Sequence, residues 1–323
     1  MDVPAIRFER LEKSYGDVRA LDGIDLEVPQ GTVFGFLGPN GAGKTTAIRV
    51  LLDLIRPSAG RAELLGFDAQ RDPVEVRRRC GYLPGELELY ERMTGREFLD
   101  YVAALRGDRG GGRGSVDAHY RDTLIERLRL DPSRCIGGLS KGNRQKVGVV
   151  QALMARPEVV VLDEPTTGLD PLVQEEVEAI LGEIVAEGRT VFFSSHVLAE
   201  VEAVASSVAM LRAGRIVAVV DLAEERRLAP RRIIVAFDEP VPAGAFAGLD
   251  GVRVVSSGDR QATFESHDHM DALIKALARY PVRTLETHEL SLEELFLSYY
   301  EVGPGDVGPD AAQPAQPHEA GRA

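Results

Sequence analysis

The stretch that decides the fold runs from Thr32 to Thr46 and reads TVFGFLGPNGAGKTT. Its first part, Thr32–Leu37, is short and rich in β-branched and aromatic residues, which favours a strand. Its second part, Gly38–Thr45, matches the pattern G-x-x-x-x-G-K-[ST]. A helical pattern follows over Thr45–Leu54. A strand, a glycine-rich loop and a helix in this order predict a loop that binds the phosphates of a nucleotide.

The residue types of this loop suit a triphosphate. Glycines let backbone N–H groups turn toward phosphate oxygens, and the following helix presents its positive end. Lys44 supplies a positive charge to the outer phosphates, and Thr45 offers a hydroxyl to Mg²⁺. The expected cofactors are therefore ATP and Mg²⁺. The expected nucleotide-binding residues of the loop are Gly38, Pro39, Asn40, Gly41, Ala42, Gly43, Lys44, Thr45 and Thr46.

A strand that ends in two acids follows much later in the chain. Val159–Leu162 is a continuous apolar run, typical of a strand buried on both faces of a parallel sheet. Asp163 and Glu164 come directly after it. Beside a phosphate-binding loop, Asp163 is the expected ligand of Mg²⁺, as is Thr45. Glu164 is the expected general base for the attacking water, so the sequence predicts an enzyme that hydrolyses ATP.

Strands and helices alternate through the first two thirds of the chain, which favours an α/β fold around a central parallel sheet. Helices are expected through most of 94–154, with Thr94 and Glu97 forming a capping box. After Asp221 the pattern changes to short strands and to helices at Met270–Tyr280 and Leu292–Tyr299, a small α+β appendage. The last residues are rich in Pro, Ala and Gly and are predicted to be disordered.

Another helix start carries a serine and a glycine, because Leu139–Gln145 reads LSKGNRQ. The Ser140 hydroxyl, the Gly142 backbone and the helix N-terminus suit a further anion site. Together with the phosphate loop and the acidic strand, this segment resembles the ATP-binding subunits of ABC transporters, whose signature is LSGGQ. Ser140 and Gly142 match that signature, whereas Lys141 and Asn143 differ. The differences are similar to those of ABC-2-type drug and antibiotic exporters.

The resemblance implies roles for further residues. Ser140 and Gly142 are implied to contact ATP held by a second copy of the chain, and Asp170 lies in the segment that crosses that interface. His196 matches the histidine that touches the γ-phosphate, which makes Lys44, Glu164 and His196 the implied catalytic residues. Tyr15 matches the aromatic residue that stacks on adenine. A tyrosine at this position also suits an ordinary surface or core site.

The resemblance also implies the fold and its divisions. It covers about residues 3–220, with a weaker match to about residue 300, and implies a P-loop NTPase with a RecA-like α/β core and an N-terminal antiparallel β part. The expected organisation is an ATP-binding domain at 1–220 with a helical subdomain at about 86–156, a C-terminal α+β appendage at 221–301, and a disordered tail at 302–323.

One position departs from the family pattern. Gly85 stands where the family has a glutamine, and a glycine cannot ligate Mg²⁺ through a side chain; Glu86 or Glu88 is an alternative ligand. The membrane partner of the family docks near Gly85–Met93. Apolar side chains gather in that segment, namely Leu87, Leu89, Tyr90 and Met93. They predict an interface if exposed, and the alternative is that they belong to the helical core.

Composition limits the other classes of function. The formal net charge of -13 argues against a nucleic-acid partner. Cys80 and Cys135 are far apart in the sequence, which favours reduced thiols in the cytoplasm. The chain has no apolar run of the ~20 residues that span a membrane. The expected location is cytoplasmic, peripheral on the inner face of the cell membrane through a partner protein.

The predicted function is therefore that of an ATP-hydrolysing subunit, acting as a homodimer, that energises a separate membrane permease. The expected permease is an exporter of drugs, antibiotics or other amphipathic molecules. One alternative is a soluble ATPase of the same family that acts on ribosomes or DNA. Another is a regulatory ATP binder without turnover, which the glycine at position 85 leaves open.

Overall fold

The computed structural model describes residues 3–106, 116–228, 231–242, 244–266 and 270–289. The chain divides into two compact units, Met1–Val220 and Asp221–Ala323. The predicted helix Leu292–Tyr299 and the predicted disordered tail 302–323 lie outside the described residues.

Strands and helices alternate up to Asp221. The strands are β1 (Ile6–Tyr15), β2 (Val18–Val28), β3 (Val33–Leu37), β4 (Ala59–Leu64), β5 (Phe67–Asp68), β6 (Cys80–Leu83), β7 (Val159–Asp163), β8 (Thr190–Ser195), β9 (Ser207–Arg212) and β10 (Arg215–Asp221). The helices are α1 (Lys44–Leu51), α2 (Pro73–Arg79), α3 (Gly95–Leu105), α4 (Ala118–Arg127), α5 (Lys141–Leu153), α6 (Pro171–Ala186) and α7 (Leu198–Val204).

The central sheet has the strand order β10-β9-β3-β8-β7-β6. The five strands from β9 to β6 in this order are parallel, and every residue of β3, β7 and β8 is buried. Burial along whole strands is expected where helices cover both faces of a parallel sheet. The register pairs Leu37 with Ser195 and Asp163 with Ser194. The loops that follow β3, β7 and β8 therefore meet at one edge of the sheet, and the predicted α/β core is confirmed.

A second sheet near the N-terminus has the order β2-β1-β4-β5, and its neighbouring strands run antiparallel. The sequence alternates apolar residues at Ile6–Leu11 and Ile24–Val28, which predicts parts of β1 and β2, but Pro57, Ser58 and Gly60 signal a break where β4 forms. Pairing with β1 creates the strand and buries Ala62 and Leu64. The N-terminal antiparallel part is thus present and larger than its sequence pattern indicates.

The helices between β6 and β7 pack together, with α3 and α4 both contacting α5. The capping box that starts α3 is confirmed, since the Thr94 side chain accepts from the Glu97 N–H and the Glu97 carboxylate accepts from the Thr94 N–H. Helix α5 is buried along most of its length. Helix α1 ends at Leu51, three residues before the predicted end. Asp53 has a φ of 53°, a left-handed conformation that is incompatible with a right-handed helix.

The second unit contains α8 (Leu222–Leu228), β11 (Arg231–Phe237), β12 (Val252–Ser257), β13 (Gln261–Ser266), α9 (Met270–Leu277) and β14 (Val282–Glu289). The strands form an antiparallel sheet of order β12-β13-β11-β14. Its core includes Val235, Phe237, Phe264, Leu273 and Leu277, so α9 covers the sheet. The α+β character expected of this unit holds, but β14 is a strand that the sequence does not predict.

Candidate active site

The glycine-rich loop connects β3 to α1 in a conformation that needs its glycines. Gly41 and Gly43 have φ values of 80° and 113°, which residues with a Cβ rarely adopt. A Cβ on Gly43 would also lie 2.5 Å from the carbonyl oxygen of Ala20. No side chain caps α1. The first N–H groups of an α-helix have no intrahelical acceptor, so those of α1 remain available to an anion.

Lys44 brings a buried positive charge to this loop. Its side chain is 5% exposed, and its Nζ donates to the carbonyl oxygens of Gly38 at 2.6 Å and Pro39 at 3.3 Å. Burial lowers the pKa of Lys44, while the carboxylates of Glu164 and Asp163 act in the opposite direction. The ammonium group is thus surrounded mainly by neutral acceptors, which favours the approach of an anion such as a phosphate.

Asp163 ends β7 beside the start of α1. The Thr45 hydroxyl donates to one carboxylate oxygen of Asp163 at 2.7 Å, and the Ser194 hydroxyl donates to the other. Asp163 is 1% exposed. Carboxylate and hydroxyl oxygens are the hard ligands that Mg²⁺ prefers, and here two of them are held side by side at the edge of the phosphate loop. The residues present therefore fit a magnesium site.

Glu164 and His196 come together from the ends of adjacent strands. Glu164 Oε1 lies 3.1 Å from Nδ1 of His196, and the Thr167 hydroxyl lies 3.3 Å from Glu164 Oε2. The N–H of Glu164 donates to the carbonyl oxygen of Ser194 at 3.1 Å, which ties the end of β7 to β8. The structure thus brings the expected base and the expected histidine into direct contact at the edge of the sheet that carries the loop.

Sequence reasoning misses Glu200. This residue of α7 accepts hydrogen bonds from the Ser195 hydroxyl at 2.5 Å and from the Thr166 hydroxyl at 2.6 Å. Ser195 precedes His196, and Thr166 follows Glu164 by two positions, so one carboxylate links the loops after β8 and β7. In the sequence, Glu200 is recognisable only as an acid in the first turn of a helix. An acid at such a position usually does no more than interact favourably with the helix dipole.

Gly85, the departure from the family pattern, lies directly against Asp163. A Cβ at this position would be 3.2 Å from Asp163 Oδ2. The segment after β6 therefore reaches the predicted metal site with its backbone. Glu86 and Glu88 are exposed, and their role as substitute ligands stays a prediction.

The serine-led segment starts α5. Ser140 is exposed, and its hydroxyl accepts from the backbone N–H of Asn143 at 3.3 Å and from its side-chain amide at 3.1 Å. A Cβ on Gly142 would lie 2.3 Å from the carbonyl oxygen of Gly168, so α5 packs closely on the loop before α6. Asp170 caps α6 by accepting from the Val173 N–H at 3.1 Å. Contact of these residues with nucleotide stays a prediction.

Tyr15 ends β1 on the surface. Its side chain is 49% exposed, which excludes the core alternative, and Lys13 Nζ lies 5.0 Å from the ring centroid. Stacking on adenine stays a prediction.

The apolar segment after Gly85 divides between core and surface. Leu87 packs toward α5, because a Cβ on Gly148 would lie 2.9 Å from its methyl carbons. Tyr90 is 57% exposed and its ring lies 6.2 Å from that of Phe98 and 5.7 Å from that of Tyr101. Leu87 thus packs with the helices, whereas Tyr90 is exposed, and an interface at this segment stays a prediction.

The chain is similar to known ATP-binding proteins. Residues 21–167 match the family model described as ABC transporter. The chain is 42% identical over 220 residues to the daunorubicin resistance ATP-binding protein DrrA2 of Streptomyces coeruleorubidus, covering 68% of this chain and 67% of that protein. It is 36% identical over 304 residues to DrrA3 of the same organism, covering 91% and 95%. A solved structure titled "Structure of ATP binding subunit of ABC transporter" superposes with a TM-score of 0.63 at 30% identity, covering 69% of this chain and 92% of that one.

None of the helices that the structure describes is both long enough and apolar enough to span a bilayer.

Proposed function

This chain belongs to the ATP-binding subunits of ABC transporters, and we propose that within this family it powers the export of a drug or antibiotic through a separate membrane protein. As a member of the family, the chain binds and hydrolyses ATP. The observation that carries the export proposal is the similarity to a daunorubicin resistance protein over 91% of the chain, which includes most of the second unit as well as the ATPase unit.

The residues of the site divide the chemistry among them. The loop N–H groups and Lys44 bind and orient the phosphates. Asp163 and Thr45 would hold Mg²⁺, which when bound neutralises phosphate charge. Glu164 accepts the proton of the attacking water while the new oxygen–phosphorus bond forms and the bond to the β-phosphate oxygen breaks. His196 Nδ1 lies 3.1 Å from the Glu164 carboxylate and holds it in place, and the histidine would face the terminal phosphate.

A second copy of the chain would complete each ATP site. Ser140 is exposed at the N-terminus of α5, and the first N–H groups of that helix are suited to an anion outside their own subunit. We place each ATP between Lys44 of one copy and Ser140 of the other. Asp170, beside the loop that packs against Gly142, would lie at the boundary between the copies.

The membrane partner would dock near Gly85–Met93, on the cytoplasmic side of the membrane. The exposed Tyr90 is part of an aromatic cluster with Tyr101, and Leu105 further along α3 is 67% exposed. A cavity of about 310 Å³ adjoins this region. It is lined by Leu52, Leu54, Arg77, Cys80, Tyr82, Pro84, Arg106 and Gln151. A partner at this surface would sense Gly85, which contacts the predicted metal ligand Asp163.

Capture of the partner tests the proposed class of function. The tagged full chain carrying Glu164→Gln, which is expected to retain ATP, is cross-linked in the cells that produce it and purified with MgATP. The expected co-purified protein has several membrane-spanning helices. Recovery of ribosomal proteins or DNA-associated proteins in its place would contradict the transporter assignment and favour the soluble alternative.

Drug accumulation tests the cargo class separately. Deletion of the gene is expected to raise intracellular daunorubicin, and the wild-type chain is expected to reverse this, whereas the Glu164→Gln chain is not. A Glu187→Gln chain is the matched control, because Glu187 is a surface acid after α6 that pairs with Arg156 and Arg189. Unchanged accumulation of daunorubicin in the deletion strain would refute export of this antibiotic while leaving the ATPase assignment intact.

A further inference from the structure

The expected base Glu164 has an unusual backbone conformation. Its φ is 53°, in the left-handed region that residues with a Cβ rarely populate. Such conformations persist only where surrounding contacts hold them, and they are common at sites of function. The contacts on the carbonyl side of Glu164 are therefore informative about how the base is held.

Those contacts come from Gln145 of helix α5. Its side-chain amide nitrogen lies 3.1 Å from the carbonyl oxygen of Glu164 and 3.1 Å from that of Pro165. Gln145 is 4% exposed, so both bonds are shielded from water. Pro165 has no N–H, which removes one local donor that could otherwise close the turn after Glu164. The remaining backbone contact to the Glu164 carbonyl, from the Thr167 N–H, is long at 3.4 Å.

We propose that Gln145 is a positioning residue for ATP hydrolysis, because its amide holds the two successive carbonyls that fix the backbone of Glu164 and thereby aim the carboxylate of the base. This inference rests on the proposed role of Glu164. The opposite side of the same turn is held by the Glu164 N–H, which donates to Ser194 of β8 at 3.1 Å. The base is thus clamped between the central sheet and helix α5.

The position of Gln145 gives the clamp a second consequence. Gln145 lies on the same helix as Ser140, five residues after it. Any shift of α5 relative to the sheet changes the geometry of the Glu164 carbonyl as well as the position of Ser140. The helix that would contact the ATP of the partner copy therefore also sets the geometry of the base in its own copy.

Replacement of Gln145 by methionine tests the proposal on the purified full chain. Methionine has a similar length and helix preference but cannot donate, so both carbonyls lose the hydrogen bond from Gln145. We expect kcat for MgATP to fall roughly 10- to 100-fold, as small displacements of a catalytic group do, with KM changed less than about twofold. Gln30→Met, the same change at an exposed glutamine outside the site whose amide donates to the Val3 carbonyl at 2.6 Å, is the matched control and is expected to leave kcat unchanged.

A double variant separates positioning from packing. In the Glu164→Gln background, Gln145→Met is expected to lower the residual rate less than about twofold further, because a base that is absent cannot be misaligned. Gln145→Asn keeps a buried amide that is one methylene too short, and its lowered kcat is the expected result if the methionine variant fails to fold.

Three outcomes would overturn the proposal. They are a Gln145→Met or Gln145→Asn chain with a kcat within about twofold of wild type, an equal loss in Gln30→Met, and an undiminished effect of Gln145→Met in the Glu164→Gln background. Failure of the proposed role of Glu164 looks different, since there Glu164→Gln alone would hydrolyse ATP at the wild-type rate.

Discussion

Single residues with buried charge decide what the site can bind. Lys44 is buried and donates to two backbone carbonyls, and Asp163 is buried and held by two hydroxyls. Hydrogen bonds to neutral groups do not neutralise a buried charge, so each of these side chains can still attract a group of opposite charge. The cation at the loop and the anion at the end of β7 are therefore matched to a phosphate and to Mg²⁺.

Lys44→Met is expected to weaken ATP binding about 10- to 100-fold, the range of a charge-assisted hydrogen bond to phosphate. Titration calorimetry with MgATP measures the change. Lys275→Met is the control, because Lys275 is an exposed lysine of α9 that pairs with Asp271. If the Lys44 variant binds MgATP with an affinity within threefold of wild type, the loop does not have the ATP-binding role assigned to it.

Gly85→Ala is expected to lower kcat severalfold, because the added Cβ would lie 3.2 Å from Asp163 Oδ2 and crowd the carboxylate that is expected to hold Mg²⁺. Gly258→Ala is the control, since the added Cβ would lie 3.6 Å from its nearest neighbouring atom, which is an ordinary van der Waals distance. The rate is measured over a series of Mg²⁺ concentrations, and a wild-type response at all of them would show that Gly85 is not coupled to the metal site.

Thiol labelling tests the burial of Cys80. Burial raises the pKa of Cys80 from 9.0 to about 12, so at pH 8 the thiolate fraction is about a thousandfold below that of a free thiol. We expect iodoacetamide to label only the exposed Cys135 in the native chain at pH 8, and to label Cys80 faster as the pH rises toward 12. Labelling of both thiols at similar rates at pH 8 would contradict the packing of β6.

Sequence patterns identify the residues whose role follows from local spacing. The loop-helix motif contains Lys44 and Thr45, and the end of a buried strand carries Asp163 and Glu164. Their neighbours in the sequence are therefore sufficient to predict them. Glu200 is different, because it is brought to the site by the packing of α7 beside β8 and belongs to no spacing pattern. Contacts that exist only after folding cannot be read from periodicity.

The same distinction applies to secondary structure elements. Strand β7 is predicted because its uninterrupted apolar run reflects burial on both faces. Strand β14 is not, since its residues alternate among charged, polar and apolar types and those described are exposed; its pairing with β11 creates it. Edge strands of this kind depend on a partner strand more than on their own sequence.

The start of α5 offers a test of element packing. Gly142→Ala would place a Cβ 2.3 Å from the Gly168 carbonyl, so α5 and the loop before α6 must separate. We expect a loss of about 1–3 kcal/mol in the free energy of unfolding, measured by urea denaturation, together with reduced turnover. Gly182→Ala within α6, where the added Cβ meets open space, is expected to gain about 0.5–1 kcal/mol. Equal effects of the two changes would contradict this packing.

At the scale of the whole molecule, the proposed function depends on how two copies of the chain share an ATP site. In the proposed dimer, a phosphate loop and an expected base on one copy would be completed by the serine-led helix of a second copy. The fold places the loop, the expected metal ligands and the expected base at one edge of the central sheet, while Ser140 remains exposed at the start of α5. A chain that binds ATP without forming a dimer would act as a regulatory ATP binder and would not drive a symmetric transporter.

The measurement that tests this most directly is the mass of the Glu164→Gln chain in solution by light scattering, with and without MgATP. The expected mass is near 35.1 kDa without nucleotide and about twice that value with MgATP, because ATP that is not hydrolysed should hold two copies together. Adding Ser140→Arg in the same background is predicted to leave ATP binding intact and to abolish the doubling. A Glu164→Gln chain that binds MgATP and stays single, or a Ser140→Arg chain that still doubles, would contradict the shared site.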